Sequence, residues 1–591
     1  MTSTTLSPSP GRPPSDLTIP MSAVPLRPAR RRPSALTVAS IVLAVAMGLL
    51  GVIPLAAVAI GAISEGSGIA EALAKEDIVG LLRNTLIVVA VSTVLALVIG
   101  AVLAWVNERT DAGMGIITEA MPLLPFMLPP IAGSVGWVLL MAPTAGFING
   151  IIRWFLGLFG VQMEQGPFDI YSWYGLILVY TIYAVPYAFM MCTSGLRNMD
   201  PALEEQSRVS GSSLLRTLRT VTLPSMLPSL LGGTMLILMS SFGLFSIPSV
   251  IGRGADIPIL STRIVHLLNF TYPAETGAAI GLSLILVAFV AAFWWLQAST
   301  LKRGRFATIG GKGQRASRIR LGKGRPWVRA AVLLYIGITT VAPLLALLVV
   351  SLNGFWTLDI NWTGLNLDAF FSTLMEDRST RRALTNSLTF GVIGSLIGIA
   401  AVAFASLWIV RSRSRLARVI DGAIKFPAML SHLIIAVGFV LAFAGPPFSL
   451  GGTAVIMVGA YLALYIPQAS VSADTAVAQI GKELPEASRV SGAGETKTVL
   501  RIYLPLMMPA LILGWAMLFV RMIGDLTASA ILAGTRNNVI GFRILEIYQN
   551  GSYAELAAIS TFLTLVSAVI VIAVLIVSRR LARWTNQSLG G

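Results

Sequence analysis

Glu205-Gln206-Ser207-Arg208-Val209-Ser210-Gly211 and Glu486-Ala487-Ser488-Arg489-Val490-Ser491-Gly492 are two copies of one segment. Ser-Arg-Val-Ser-Gly is identical in both, and each copy reaches a Leu-Pro pair, Leu223-Pro224 or Leu504-Pro505, whose proline stands thirteen positions after the glycine. A second pair of landmarks agrees, because Asn84-Thr85-Leu86 returns as Asn386-Ser387-Leu388. The offset is 302 residues at this pair and 281 at the loops, which fits a longer connection around residues 147–169 of the first copy. The chain is therefore read as a duplication.

What is duplicated follows from composition. Of 591 residues, 55% are hydrophobic and 12% charged, about half the charge of an ordinary soluble domain. The apolar residues fall into blocks of ~20 or more, enough to cross a ~30 Å hydrocarbon core as helix. In lipid the backbone must satisfy its own hydrogen bonds, so such blocks are expected to be helical. The ~10-residue alternation of a membrane β-barrel is not seen. Twelve spans are predicted, at 36–62, 80–106, 117–141, 173–195, 227–251, 276–298, 327–351, 386–410, 420–444, 452–472, 506–533 and 556–578. Six spans per repeat give the two halves the same orientation, so they form parallel repeats about an axis along the membrane normal.

The basic residues set the direction. With the N-terminus in the cytoplasm, about 32 of the 43 Lys and Arg fall in cytoplasmic segments and about 10 outside, with Arg521 inside a span. The domain reading is a disordered basic cytoplasmic tail over 1–34, a first half over 35–299, a basic cytoplasmic linker over 300–326 and a second half over 327–585. Both termini are expected in the cytoplasm. The apolar stretch after the tail is too long for a signal-peptide core and reads as an uncleaved first helix.

Several function classes fall away. The net charge of +16 lies in membrane-flanking loops without aromatic interleaving, which argues against nucleic acid. Cys192 is the sole cysteine, and His266 and His432 are far apart without paired carboxylates, so no metal site is expected. No G-x-x-x-x-G-K-[ST] phosphate loop occurs, since Gly310-Gly311-Lys312-Gly313 lacks the spacing. The chain is expected to be no ATPase itself and to bind no cofactor. No constellation for covalent or acid–base catalysis is present either.

Read physically, each repeated loop is a short helix, a turn at Gly211 or Gly492, a second short helix, and the start of the next span. Glycine permits a sharp turn without Cβ crowding, and Pro224 and Pro505 suit a first helical turn. Two such loops on the cytoplasmic side imply two equivalent docking sites. Arg521 and Asp525 fall near the middle of the eleventh predicted span, where a charge costs about 3 kcal/mol. At i, i+4 they share a helix face and can pair, either to hold helix packing or to line the path. The first half has Ser240, Ser241 and Ser246 in the comparable region, so this feature is asymmetric.

The duplicated loop resembles the EAA loop of ABC importer permeases, roughly E-A-A-x-x-x-G ending in hydrophobic–Pro. Glu486-Ala487-Ser488 is close to that pattern, whereas Glu205-Gln206-Ser207 keeps only the glutamate. The resemblance covers most of residues 36–585 and implies an all-α polytopic membrane protein, two parallel six-helix halves of the type I importer permease fold. It implies coupling-loop roles for Glu205, Arg208, Gly211, Leu223, Pro224, Glu486, Ala487, Arg489, Gly492, Leu504 and Pro505. It also implies two copies of a cytoplasmic ATPase that use the ATP, an extracytoplasmic substrate-binding protein, and residence in a bacterial inner membrane.

In length, in its Asn-Thr-Leu opening and in Leu518-Phe519-Val520-Arg521-Met522-Ile523-Gly524-Asp525-Leu526, the chain is similar to fused ferric-iron permeases. In those permeases the acidic position is commonly Glu. Thiamine, aminoethylphosphonate and polyamine permeases look alike at this level. The alternative class is an ion-gradient-driven secondary transporter, for which Asp525 is the coupling carboxylate to expect.

Overall fold

The computed structural model describes residues 34–589 except 65, 116, 119–123, 127, 304–317, 413, 482 and 535. Most of the expected tail (1–34) and linker (300–326) lies outside the described residues. The described elements are helices and turns, joined by one isolated bridge between Thr110 and Ile319.

Among the described residues ten helices are long and apolar enough to cross a membrane, or eleven if one bent pair is taken as a span, against twelve expected. In the first half they are Ala35–Ser64, Ile78–Arg109, Trp173–Asn198, Leu214–Phe242 and Thr276–Gln297. The second half has Gly322–Asn353, Arg378–Arg411, Ala454–Ala478, Glu495–Ile523 and Tyr553–Ser578.

The two shortfalls are the third predicted span of each half, 117–141 and 420–444. In the first half the described apolar helix of this region is only Pro130–Met141, opening behind Pro129. In the second half the amphipathic helix Arg415–Lys425 gives way at Phe426–Met429 to the apolar helix His432–Phe439. The two limbs there are bent by 105°. Proline explains both breaks, because it removes a helical donor and biases the preceding residue away from the α region. Pro129-Pro130 and Pro427 supply it, and Ser431 caps the new helix by accepting from the Leu433 amide at 3.2 Å.

The halves exchange helices. Ala35–Ser64 packs on Arg378–Arg411, Arg415–Lys425 and His432–Phe439 of the second half. The C-terminal limb of Gly322–Asn353 packs on Pro130–Met141 of the first. The core is thus shared between the halves: one cluster of buried side chains runs from Ala44 to Leu563, and a second, smaller one from Ala96 to Ile336.

Away from the duplicated loops, the Asn-Thr/Ser-Leu pairs act as clips. Asn84 donates to the Pro258 carbonyl at 3.0 Å, and Asn386 to the Asn538 carbonyl at 2.8 Å. Thr85 Oγ1 accepts from the Leu260 amide at 3.0 Å, and Ser387 Oγ from the Ile540 amide at 2.8 Å. Each clip fixes the start of a short helix, Leu260–Asn269 or Ile540–Gln549. Equivalent arginines on those helices hold an acid at the start of the second span. Arg263 pairs with Glu76 at 2.6 Å and Arg543 with Asp377 at 2.9 Å.

Candidate functional site

Both duplicated loops fold as anticipated up to their glycines. The first short helices are Pro201–Val209 and Glu483–Val490. Gly211 and Gly492 follow with φ of 82° and 76°, the left-handed region in which glycine alone is unstrained. In both loops the first helix is tied to the second by a serine–threonine pair, Ser207 to Thr217 at 3.0 Å and Ser488 to Thr498 at 2.9 Å.

The second helix does not stop at Leu-Pro. A π-turn, Leu218–Thr222 or Val499–Tyr503, carries it straight into the long helix of the fifth predicted span, the fourth long helix of each half. In the first loop the Leu223 amide reaches back to Leu218 O, so the ladder is re-phased just before Pro224 and its missing donor falls at the bulge. Pro224 and Pro505 therefore lie inside the rods Leu214–Phe242 and Glu495–Ile523, not at a fresh helix start. Each loop is mechanically continuous with a membrane helix.

Glu205, Arg208, Glu486 and Ala487 are exposed on the loop surfaces, as are Leu223 and both prolines, with Leu504 half-buried. The side chain of Arg489 lies outside the described residues. The loops also present a residue that sequence reasoning passed over. Val209 and Val490 of the repeated motif are 89% and 90% exposed, at identical positions. Each is an apolar side chain standing almost fully exposed on an otherwise polar short helix, at matching positions of the two loops.

The two attachments differ. Arg109, 4% exposed, pairs with Glu204 at 2.7 Å, donates to Leu196 O at 2.8 Å, and shares Glu204 with the Thr222 hydroxyl. Its counterpart Arg411 instead lies over the ring of Tyr503, 4.7 Å from the centroid.

The long helices of the fifth predicted spans end at Gly243 and Gly524. A β-carbon on Gly243 would overlap Ser431 of the other half, and one on Gly524 would press on Pro129 at 3.1 Å. Each of these helices thus abuts the broken third span of the opposite half. Between them lies a cavity of about 60 Å³, lined by Phe126, Ser240, His432, Tyr465, Arg521 and Asp525 among others.

This arrangement corrects the expected Arg521–Asp525 pair. The helix ends at Ile523, so the two residues do not share a helix face. Asp525 is buried, and its carboxylate accepts from the Tyr465 hydroxyl at 2.7 Å and from the Ala528 and Ser529 amides at 2.9 and 3.1 Å. Arg521 turns to the other half. It donates to the Tyr187 hydroxyl at 3.2 Å and stacks 4.7 Å above Phe126. The ion pairs among the described residues do not include it. Both residues line the cavity, so they are brought together there without pairing.

Tyr187, Phe126 and Tyr465 were not singled out in the sequence, because nothing local marks them and their partners come from the opposite half or a distant helix. His432 begins the apolar limb of the broken span with its ring 5.5 Å from Tyr465, and His266 lies beside Arg263 at 3.4 Å on the clipped helix.

Residues 96–303 and 394–588 match the family described as binding-protein-dependent transport system inner membrane component. A probable ABC transporter permease protein of Sinorhizobium fredii is 24% identical over 539 residues, which is 88% of this chain and 91% of the relative. A ferric transport system permease protein of Actinobacillus pleuropneumoniae is 21% identical over 504 residues, 85% of this chain and 71% of the relative. A spermidine/putrescine transport system permease protein of Escherichia coli strain K12 is 25% identical over 237 residues, 40% of this chain and 88% of the relative.

Proposed function

Because the chain belongs to the family of binding-protein-dependent transport system inner membrane components, we propose that it is the whole membrane path of one ATP-driven importer, with ferric iron as the cargo. It is a multi-pass inner-membrane permease subunit of an ABC importer. In this reading its duplicated loops face the cytoplasm, together with both termini, and each receives one copy of an ATPase subunit. A substrate-binding protein delivers cargo to the opposite face, near the clipped helices.

The observation that carries the reading is the continuity of each exposed loop with a long helix that ends at the cavity between the halves. Closure of two ATPase subunits would push both rods at once. The rods end at Gly243 and Gly524, each against a broken span of the other half, so their movement reorients the halves about the cavity. Support for iron comes from a likeness, over 85% of this chain and 71% of the relative, to a permease named for ferric transport.

The test is uptake by proteoliposomes holding the chain with its ATPase, with binding protein outside and ATP inside. The reading expects uptake of ferric iron that needs ATP and binding protein and survives an ionophore. Uptake that collapses with the ion gradient and ignores ATP would favour a secondary transporter.

A further inference from the structure

Four observations bear on what passes the cavity. Arg521 brings a fixed positive charge to the membrane interior, where such a charge is expensive and marks function by default. Its guanidinium is held between a phenol hydroxyl and an aromatic face, Tyr187 and Phe126, and neither neutralises it. The negative counterpart in the cavity wall is turned inward, since Asp525 is buried and its two carboxylate oxygens are met by three donors. Arg521 is less deeply buried than Asp525 and lines the same cavity with its charge unpaired by any carboxylate in hydrogen-bond reach among the described residues.

A second cavity adjoins the first. Leu244 and Ser246 line the central cavity, while Phe245 and Ser249 line a larger one of about 310 Å³. One short stretch of chain is therefore wall to both. The larger cavity carries Arg253, Arg263 and His266, with Asp256 as its acid. Arg263 is paired with both carboxylate oxygens of Glu76 at 2.6 and 2.7 Å, Arg253 shares the lining with Asp256, and burial followed by Arg263 and Arg253 lowers the His266 pKa.

We propose that Arg521 selects negative charge on the cargo, so that what crosses this chain is an anion with hard oxygen atoms, an anionic iron complex or a free oxyanion, and not a bare cation. The proposal rests on the importer reading above. A trivalent cation or a polyamine would meet repulsion from Arg521 at low effective dielectric, while Asp525, the other charge of the cavity wall, is already engaged by three donors. A carboxylate or oxyanion oxygen would instead receive charge-assisted hydrogen bonds from the guanidinium fork, alongside Ser240 and Ser246. Ferric iron is a hard ion that oxygen ligands hold, and enough carboxylate ligands make the complex negative. A free oxyanion offers Arg521 the same chemistry.

The experiment measures uptake of radiolabelled ferric citrate, sulfate and spermidine by cells carrying the complete importer, in wild type, Arg521→Gln, Arg521→Lys and Tyr187→Phe. Each variant is first checked for co-purification of the ATPase, which separates loss of assembly from loss of selection. The proposal expects ferric citrate or sulfate to enter, and Arg521→Gln to lower that uptake by about tenfold or more, as loss of a charged hydrogen bond does. Arg521→Lys, which keeps the charge but gives up the planar fork and the stack on Phe126, and Tyr187→Phe, which removes an anchor and leaves the guanidinium, should each lose less uptake than Arg521→Gln.

Ferric citrate without sulfate would identify the cargo as the anionic iron complex, and sulfate without iron as a free oxyanion. Spermidine uptake in wild type, anion uptake in Arg521→Gln within about twofold of wild type, or no uptake of either anion by an ATPase-bearing complex would overturn the proposal. Failure of the importer reading would look different, as a wild type that binds no ATPase.

Discussion

Ser240 and Arg521 occupy equivalent positions 281 residues apart, and both hydrogen-bond the same hydroxyl, that of Tyr187, at 3.3 and 3.2 Å. The duplication thus meets at one phenol near its own axis, with a neutral group from one half and a charged one from the other. Removing the hydroxyl by Tyr187→Phe leaves the ring that touches Phe126 but deletes both bonds. We expect a loss of about 1–2 kcal/mol in stability of the detergent-purified protein, because one of the bonds is to a charged group. Thermal unfolding of the two proteins side by side is the check.

The contact of Gly243 with Ser431 predicts a sharper effect. Gly243→Ala places a methyl where Ser431 already lies, and neither broken span nor helix end can withdraw without moving the other. Overpacking of this kind costs about 1–3 kcal/mol. A lowered melting temperature together with impaired uptake is expected. Ser431→Gly in the same chain should restore much of both, since it opens the space but gives up the Leu433 cap.

Val209 and Val490 make the loops testable apart from their glutamates. Their side chains touch little of this chain, so Val209→Asp with Val490→Asp should leave the melting temperature unchanged. If ATPase subunits bury them, each change removes an apolar contact worth more than about 1 kcal/mol, and affinity for the ATPase falls about tenfold. Titrating the purified permease with its ATPase reads this directly.

On the clipped face, Asp377 carries a pH signature. Burial pushes its carboxyl up, but the Thr380 hydroxyl, the Ser379 amide and the Arg543 guanidinium outweigh that, so it lies below its ordinary value. A depressed carboxylate stabilises above the unfolded-state pKa, and that stability is lost as pH falls through the folded-state value. Asp377→Asn should therefore destabilise by about 1 kcal/mol at neutral pH, an amount discounted for its partial exposure. The gap from wild type should close below about pH 4, measured as melting temperature against pH.

Much of this architecture was legible in the residues. Apolar blocks gave the long helices because length and hydropathy alone decide a span. The repeated Glu…Gly…Leu-Pro segments gave the duplication, and the left-handed glycines followed from the turn they had to make. Pro129, Pro130 and Pro427 stood in plain view within apolar composition, yet 117–141 and 420–444 were read as unbroken, because window hydropathy does not register a lost helical donor. The Arg521–Asp525 pair failed for a related reason. Its i, i+4 spacing has meaning only if the helix continues, and Gly524 ends it. The equal offset of Gly243 and Gly524 was a signal that the fifth spans stop at matched points. Tyr187, Phe126 and Tyr465 had no such signal, because their roles arise from partners that only the folded chain brings near. The Asn-Thr/Ser-Leu landmarks were seen as a repeat, while their work as clips needed the backbone of residues 258–260 and 538–540.

The central claim is that the two loops are docking sites for a pair of ATPase subunits whose hydrolysis drives the halves. The most direct measurement is a pull-down of wild type beside the double variant Glu205→Ala with Glu486→Ala, scoring co-purified ATPase subunit and its ATP turnover. The account predicts two subunits per wild-type chain with turnover raised by loaded binding protein, and loss of the subunits or of that turnover in the variant. A wild type that purifies without a nucleotide-binding partner and still carries out gradient-driven uptake would contradict it.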